Sequence, residues 1–409
     1  MLNFQRPSLF PLRLIGVVLG LVLGPWAMAA TWIGTWATSP VPEPVAKENL
    51  PLADATLRQI VRVSLGGDSV RLRLSNVFGR EPLVFHGAHL ALADQAGAII
   101  ADTGRALTFA GQPGVTVPAG AVYLSDPLEF LLPDQADVAI SLHVAAVPEV
   151  LTMHGGSRTT SYLKSGDALA ATTLPDATTF TRWYFINGLD VVNDEPDAGA
   201  LVILGDSITD GYGTTTDANN RWPDEFVRLW QARPDAAPLG VLNQGIGGNR
   251  LLRDGLGPNA LSRFDRDVLA QTGARWVLIF EGINDIGTAR DARAKGEEHA
   301  TAADIIAALE QMLARARAVG LKVIGATITP YAGADFYWSE QGEADRLAVN
   351  DWIRHHAGFD AVIDFDAALR DPADPSRLAA AYDSGDHLHP SLAGYRRLAE
   401  VVPPDLFTP

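Results

Sequence analysis

The chain has 409 residues, with 48 acidic and 32 basic side chains, so its formal net charge is −16 when the histidines are neutral. This length is enough for two domains of common size. The acidic balance argues against nucleic acid or an anionic membrane surface as the main partner. The sequence contains no cysteine, which excludes both disulfide bonds and a thiol nucleophile.

Residues 1–30 have the pattern of a secretory signal peptide. Two arginines precede an apolar stretch from Leu14 to Leu23, and Ala27-Met28-Ala29 places small residues at the cleavage positions. A retained membrane anchor is the alternative, but it needs an apolar stretch of about 20 residues, and Gly24-Pro25 interrupts this one. We predict cleavage after Ala29 and a secreted or periplasmic protein that keeps no stable membrane anchor.

Residues 31–194 are predicted to form a β-rich domain, an antiparallel sandwich or jelly-roll-like fold. Short segments alternate apolar and polar side chains, and turns rich in Gly, Pro and Asp separate them. The predicted strands are Leu57–Ser64, Ser69–Ser75, Leu83–Ala93, Arg105–Phe109, Ala121–Leu124, Ala136–Val144 and Trp183–Val192. The first two flank Gly66-Gly67 and are predicted to pair as a hairpin.

Several side chains of this region have two interpretations. Four arginines would lie on one face of the predicted hairpin: Arg58, Arg62, Arg71 and Arg73. They would recognise an acidic ligand or simply form a solvated sheet face. Aromatic residues such as Trp36 and Trp183 would stack on sugar rings or belong to the core. His154, which precedes Gly155-Gly156, would be an ordinary loop histidine or would reach the cleft of the following domain.

Residues 195–409 are predicted to form a second domain, with the boundary in the polar segment 193–198. Strands and helices alternate here, which is typical of a doubly wound parallel sheet. The later predicted strands are Gly240–Leu242, Trp276–Phe280, Lys322–Ile328 and Ala361–Phe365, and the predicted helices are Trp222–Ala232, Leu261–Leu269, Thr301–Val319, Ala344–His356 and Ser391–Val401. Ligands bind such sheets at the carboxyl ends of the strands, so the segments after each strand are the candidates for a site.

The first strand of this domain leads directly into a candidate nucleophile. The segment from Gly199 to Gly213 begins with an apolar run and then changes to Gly205-Asp206-Ser207. A serine in this position is held rigidly beside backbone N–H groups at a helix start, so we predict Ser207 as the nucleophile. Two alternatives explain the segment alone: Ser207 only caps a helix, or the loop cradles a phosphate.

The other groups that a serine hydrolase requires follow later strands. His389 is the candidate base, and Asp386 is placed to orient its imidazole. Gly248 offers a backbone N–H to an oxyanion, and the side chain of Asn284 offers a second donor beside the Ser207 N–H.

Four sequence blocks, in this order, resemble the SGNH hydrolase superfamily, also called the GDSL esterases and lipases. The blocks are Gly205-Asp-Ser-Ile208, Gly248, Gly282-Ile-Asn-Asp285 and Asp386-His-Leu-His389. The resemblance implies a flavodoxin-like fold, Ser207 as nucleophile, Gly248 and Asn284 in the oxyanion hole, and His389 with Asp386 as its partners. Ile208 stands where the motif has leucine, and the adjacent Gly247 is the alternative to Gly248. Residues 31–194 resemble the β-rich extension of a secreted branch associated with carbohydrate esterases.

We therefore predict a secreted serine esterase that acts through an acyl-enzyme, needs no metal or organic cofactor, and removes short acyl groups, such as acetyl, from carbohydrate. Its partner would be a small-molecule or polysaccharide ester. Lipid or aryl esters, as for a lysophospholipase, are the competing substrate class. Other functions stay open from the residues alone: a metal-dependent hydrolase, a flavodoxin-type carrier, or a glycan-binding protein without activity. The metal alternative rests on four side chains: Asp383, Asp386, His387 and His389.

Overall fold

The structure is a computed structural model that describes residue 1, residues 30–47 and residues 50–407. The predicted signal peptide falls almost entirely outside these residues. Thr31–Pro409 cluster into one compact unit. None of the helices described is both long enough and apolar enough to cross a membrane.

The amino-terminal half of this unit consists of antiparallel sheets, as the sequence predicts. Its strands, as far as the chain is described, are β1 (Trp32–Ala37), β2 (Val41–Pro44), β3 (Ala55–Arg62), β4 (Gly67–Ser75), β5 (Leu83–Leu92), β6 (Arg105–Leu107), β7 (Val115–Val117), β8 (Val122–Leu124), β9 (Leu128–Leu132), β10 (Asp137–Ala146), β11 (Val150–His154), β12 (Ser161–Ser165), β13 (Thr178–Phe180), β14 (Trp183–Tyr184) and β15 (Ile186–Val192). One sheet has the order β13-β12-β3-β10-β5-β6, with β7 also on β5. A second has the order β1-β15-β4-β8, with β9 also on β4, and a small third sheet is β14-β11-β2.

The predicted hairpin between β3 and β4 is wrong. β3 pairs with β10 and β12, whereas β4 pairs with β15, β8 and β9, so the two strands belong to different sheets. A two-residue hairpin turn of the favoured types requires positive φ, and neither Gly66 nor Gly67 has it. These glycines instead permit close approach, because a Cβ at Gly66 would lie 2.3 Å from the Leu132 carbonyl oxygen.

The predicted common face of the four arginines is consequently wrong, because β3 and β4 lie in different sheets, and Arg62 pairs with Asp137. Arg58 is fully buried and donates to Ser141 and to backbone carbonyl oxygens. Arg71 and Arg73 both pair with the buried carboxylate of Asp190. The aromatic residues are core residues, since Trp36 and Trp183 are buried and meet edge to face, with ring centroids 5.0 Å apart.

The carboxyl-terminal half contains a parallel five-stranded sheet. Its strands are β16 (Gly199–Gly205), β17 (Leu239–Gly245), β18 (Ala274–Phe280), β19 (Lys322–Ala326) and β20 (Ala361–Ile363), in the order β17-β16-β18-β19-β20. The helices are α1 (Ser207–Asp210), α2 (Trp222–Gln231), α3 (Ala260–Phe264), α4 (Ile283–Ala294), α5 (Ala302–Ala318), α6 (Glu340–His355), α7 (Phe365–Leu369) and α8 (Leu392–Glu400). This strand order is that of flavodoxin-like folds, which confirms the predicted fold class.

The two halves share a hydrophobic cluster that includes residues of β1, β15, β16 and β17. At their junction β1 crosses β17 so closely that a Cβ at Gly240 would lie 2.0 Å from the Gly34 carbonyl oxygen. The predicted boundary at residues 194 and 195 falls between β15 and β16, and its status as a domain boundary stays a prediction. Past β1, Ser39 Oγ donates to Gln244 Oε1 at 2.6 Å near the carboxyl end of β17, so the β-rich half also reaches the edge of the sheet that carries Ser207.

Candidate active site

Ser207 lies in a tight turn, residues 206–211, which we call the nucleophile turn. It directly follows β16, whose residues are all buried, as is typical of the central strand of a parallel sheet. α1 begins at Ser207, and the Ile208 N–H donates to the Asp206 carboxylate at 2.9 Å, which caps the helix. Gly211 ends this single turn with φ +89°, a left-handed conformation that suits glycine. The Ser207 side chain is therefore fixed at the carboxyl edge of the sheet.

Ser207, His389 and Asp386 form one chain of hydrogen bonds. Ser207 Oγ lies 2.9 Å from His389 Nε2, and His389 Nδ1 lies 2.7 Å from Asp386 Oδ2. A carboxylate accepts, so Nδ1 carries the ring proton and leaves Nε2 free to accept from the serine hydroxyl. The residues that the sequence predicts as nucleophile, base and orienting carboxylate are thus brought together in the required order.

The charge states of His389 and Asp386 suit a general base at His389. Burial lowers the pKa of His389 below its ordinary value, although the hydrogen bond that its ring donates to Asp386 opposes this change. Burial alone would raise the pKa of Asp386, but hydrogen bonds from the His389 N–H and imidazole outweigh it and hold the pKa at about 2. At neutral pH the imidazole is neutral and the carboxylate is ionised, so Ser207 faces a proton acceptor.

Two backbone N–H groups next to Ser207 are available to an oxyanion. Among the described residues, neither the Ser207 N–H nor the Gly248 N–H has a hydrogen-bond partner. The Gly247 N–H instead donates to Asp210 Oδ2 at 3.2 Å. Gly248 adopts φ +69°, which favours glycine there. This arrangement favours Gly248 over Gly247 as the donor.

The Asn284 carboxamide is held by three neighbours. Its Nδ2 donates to the Asn249 carbonyl oxygen at 2.8 Å and makes a longer contact of 3.4 Å with Asp206 Oδ2. Its Oδ1 accepts from the Tyr337 hydroxyl at 2.9 Å. Burial raises the pKa of Tyr337 to about 12, so this hydroxyl remains a donor. Sequence reasoning missed Tyr337, although it follows β19 and therefore lies at the same edge of the sheet.

Three buried carboxyl groups lie beneath this site. Burial raises the pKa of Asp206 to about 7 and that of Asp285 to about 6. Burial also raises the pKa of Glu281 well above its ordinary value, and the charge of Asp206 adds to this effect. Glu281 Oε1 lies 3.4 Å from Arg263, whereas its Oε2 is buried without a hydrogen-bond partner. Burial therefore favours the protonated form of each of these carboxyl groups.

The β-rich half contributes a histidine to the nucleophile turn. His154, at the end of β11, is buried, and its Nε2 lies 2.9 Å from Asp210 Oδ1 while its Nδ1 lies 2.8 Å from the Ser39 carbonyl oxygen. Asp210 Oδ2 accepts from the Gly247 N–H. His154 is therefore not an ordinary loop histidine. It reaches the carboxyl-terminal half, where it contacts Asp210, the last residue of α1.

The acidic and histidine side chains near residue 386 separate into two pairs. His387 Nδ1 lies 2.5 Å from Asp383 Oδ2, and His389 bonds Asp386. In the part of the chain that the structure describes, no three histidine, aspartate or glutamate side chains converge as a metal-binding group. The absence of a cofactor stays a prediction, for which a chelator is the test.

A hydroxyl, a neutral imidazole, an ionised carboxylate and free N–H donors at the edge of a flavodoxin-like sheet define a serine hydrolase site. Residues 203–397 match the model of the GDSL-like lipase/acylhydrolase family, and this range contains all five predicted site residues. Together with the geometry of the site, this match indicates that the protein is a carboxylic ester hydrolase.

Solved structures similar to the chain cover about half of it. A lipase/acylhydrolase from Enterococcus faecalis is 23% identical, and the match covers 50% of this chain and 93% of that one with a TM-score of 0.39. An acetyl xylan esterase from Geobacillus stearothermophilus is 25% identical over 50% and 94% of the two chains, with a TM-score of 0.38. An α/β hydrolase enzyme from the metagenome of Lake Arreo, Spain, is 22% identical over 50% and 94%, with a TM-score of 0.39. None of the curated proteins matches the sequence.

Proposed function

We propose that the protein is a secreted serine esterase that removes short acyl groups, such as acetyl, from carbohydrate through an acyl-enzyme. The catalytic part of this proposal is supported by the 2.9 Å contact between Ser207 Oγ and His389 Nε2. The N–H groups of Ser207 and Gly248 have no hydrogen-bond partners among the described residues. These are the nucleophile, the base and the electrostatic stabilisation that ester cleavage requires.

In the first step, Ser207 Oγ attacks the ester carbonyl carbon and its proton passes to His389 Nε2. The tetrahedral oxyanion accepts from the Ser207 and Gly248 N–H groups and from the Asn284 carboxamide, once the substrate oxygen replaces the long contact to Asp206. His389 then gives its proton to the departing alcohol oxygen as the carbon–oxygen bond breaks. Water, deprotonated by His389, repeats the attack and releases the acid and free Ser207.

The cellular location and the substrate are inferred from the sequence. The signal-like pattern of residues 1–30 supports export to the periplasm or the medium. The net charge of −16 disfavours polyanions such as nucleic acid as partners. A polysaccharide or glycoside ester is the substrate class proposed for such a location.

One observation favours aryl or lipid esters as a second substrate class. Large apolar side chains are exposed close to the site, among them Tyr212 beside His389 and Leu256 beside Gly248. Phe336, which packs on Tyr337, is exposed as well. These side chains would accommodate an aromatic or aliphatic group next to the scissile bond.

The test is hydrolysis of 4-nitrophenyl esters from acetate to palmitate by the protein purified from residue 30 and by its Ser207→Ala variant. We expect cleavage of the short esters, a loss in kcat on the order of 10⁴-fold or more in the variant, and release of acetate from acetylated xylan. A preference for long chains would move the substrate to lipid. Full activity in the variant, or activity that a chelator abolishes and metal restores, would refute the serine mechanism.

A further inference from the structure

The loop that joins β11 to β12 lies against the nucleophile turn. A Cβ added at Gly156 would lie 2.0 Å from Asp210 Oδ2, so the loop backbone approaches α1 directly. The carboxylate of Asp217 accepts from the Thr160 N–H at 2.6 Å and from its hydroxyl at 2.7 Å. The Asp217 N–H donates to the Arg158 carbonyl oxygen at 2.9 Å. The loop is therefore fixed on both sides of Arg158.

The guanidinium of Arg158 lies close to the catalytic histidine. Its Cζ is 5.6 Å from the centroid of the Tyr212 ring, and the Tyr212 ring is 4.2 Å from the His389 ring. The charge of Arg158 is also one of the causes that lower the pKa of His389. Tyr212 is about half exposed, so a ligand that reaches Ser207 also has access to this side of the site.

Apart from its contact with the Tyr212 ring, Arg158 has no polar partner among the described residues. Within the described residues its guanidinium takes part in no hydrogen bond or ion pair, and its Nε is buried without an acceptor. The buried arginines Arg263 and Arg346, by contrast, each donate to several acceptors. The residue also adopts φ +50°, a left-handed conformation that an arginine rarely takes. Backbone strain of this kind concentrates at functional sites.

The neighbouring carboxylates are already engaged. Asp210 is bonded by His154 and the Gly247 N–H, and Asp386 by the N–H and imidazole of His389. The guanidinium of Arg158 is therefore held in a fixed loop without a hydrogen-bond acceptor, although its Nε is buried. A substrate would supply that acceptor. A carboxylate matches best, because the planar fork of arginine binds it through two parallel hydrogen bonds.

We propose that Arg158 binds a carboxylate of the substrate beside Ser207, so that the enzyme prefers esters with a negative charge near the scissile bond. The proposal rests on the proposed function, because it assigns a substrate class to the same site. The carboxylate belongs either to the alcohol half, as in a uronic acid, or to the acyl half, as in the monoester of a dicarboxylic acid. Both present the same anion to the guanidinium.

Two matched ester pairs test the proposal. In the first, 4-acetoxybenzoate is compared with its neutral methyl ester, which differs in charge on the alcohol half. In the second, mono-(4-nitrophenyl) glutarate is compared with its methyl diester, which differs in charge on the acyl half. The value of kcat/KM is measured at low ionic strength for the wild type, Arg158→Gln, Arg158→Lys and Arg105→Gln. The last variant is the control, since Arg105 is exposed on β6 and its guanidinium donates to the carbonyl oxygens of Asp102 and Gly104, just before that strand.

For at least one pair we expect the wild type to favour the charged ester by on the order of tenfold or more. Arg158→Gln should bring that ratio to about one, Arg158→Lys should retain part of it because the charge remains, and Arg105→Gln should keep the wild-type ratio. The pair that responds identifies the half that carries the carboxylate. Ratios near one in the wild type, or ratios that Arg158→Gln leaves unchanged, overturn the proposal. Cleavage of the neutral esters by Ser207→Ala at the wild-type rate would instead contradict the proposed function.

Discussion

Asp210 links the β-rich half to the oxyanion donors, so substitutions at its partner should change the rate of catalysis. His154→Gln is the informative substitution, because glutamine retains one donor but cannot bond Asp210 and the Ser39 carbonyl oxygen together. Both members of the pair are almost fully buried, with side chains 5% and 6% exposed. Glutamine can satisfy only one of the two buried acceptors, and leaving a buried acceptor without its hydrogen bond costs about 1–3 kcal/mol. We expect the free energy of unfolding to fall by about 2 kcal/mol on this basis.

The larger consequence is expected in kcat. In His154→Gln the side chain is no longer held by Asp210 and the Ser39 carbonyl oxygen together, so the Asp210 carboxylate that accepts from the Gly247 N–H is fixed less firmly. The adjacent Gly248 N–H would then point less accurately at the oxyanion. Losing an oxyanion donor outright costs about 10²–10³-fold in kcat, so misplacing one should cost about 10- to 100-fold. KM for 4-nitrophenyl acetate should stay within about threefold, because Gly248 is expected to act on the transition state rather than on bound substrate.

The assay combines urea unfolding with steady-state kinetics at a temperature where every variant is folded. His143→Gln is the matched control. His143 lies on β10 in the same β-rich half, and its Nε2 is 3.5 Å from Oδ1 of the exposed Asp54. The control should change neither kcat nor KM. A double-mutant cycle with Asp210→Asn should show strong coupling between the two positions in kcat. A His154→Gln protein that is less stable but has the kcat of the control would show that the contact only supports folding.

Three further predictions concern Tyr337, Glu281 and His389. Tyr337→Phe removes the hydroxyl that orients Asn284, so kcat should fall by about tenfold with little change in KM; an unchanged kcat would mean that Asn284 needs no such support. Glu281 has a raised pKa, so its contribution to the free energy of unfolding is present below its ordinary pKa of 4.5 and is lost as pH rises towards the raised value. Urea titrations from pH 5 to 8 should therefore show that the free energy of unfolding falls less steeply with pH for Glu281→Gln than for the wild type, by up to about 1.4 kcal/mol per pH unit. Equal slopes of this free energy against pH would contradict the raised pKa of Glu281. Because burial lowers the pKa of His389 below 6.5, the acid limb of the profile of kcat/KM against pH should have its midpoint below 6.5, and a midpoint above that value would refute the neutral base.

The candidate catalytic residues could be selected from the sequence because each belongs to a local pattern. Ser207 and Asn284 directly follow apolar runs, and the carboxyl ends of parallel strands meet at one edge of the sheet. Asp386 and His389 lie three residues apart, so their contact requires only a local turn. Ser207 and His389 are 182 positions apart, but both segments follow strands of the parallel sheet and therefore reach the same edge.

The strand pairing of the β-rich half was not predictable from the same kind of pattern. Alternating segments around Gly66-Gly67 resemble a hairpin, yet the glycines there serve close contact with β9 and β15 rather than a turn. Which sheet a strand joins depends on partners far along the chain, such as β10 for β3 and β15 for β4. Periodicity identifies the buried face of a strand but not its neighbour.

The sequence by itself determined the fold class of residues 195–409 and the identity of the residues that would carry the chemistry, because both follow from periodicity and from the geometry of parallel strands. The tertiary structure alone decided which other side chains reach that site. The contact of His154 with Asp210 joins residues 56 positions apart, and the approach of Arg158 to Tyr212 likewise joins the two halves. Such contacts depend on how the β-rich sheets pack on the parallel sheet, and long-range packing leaves no local signal in the sequence.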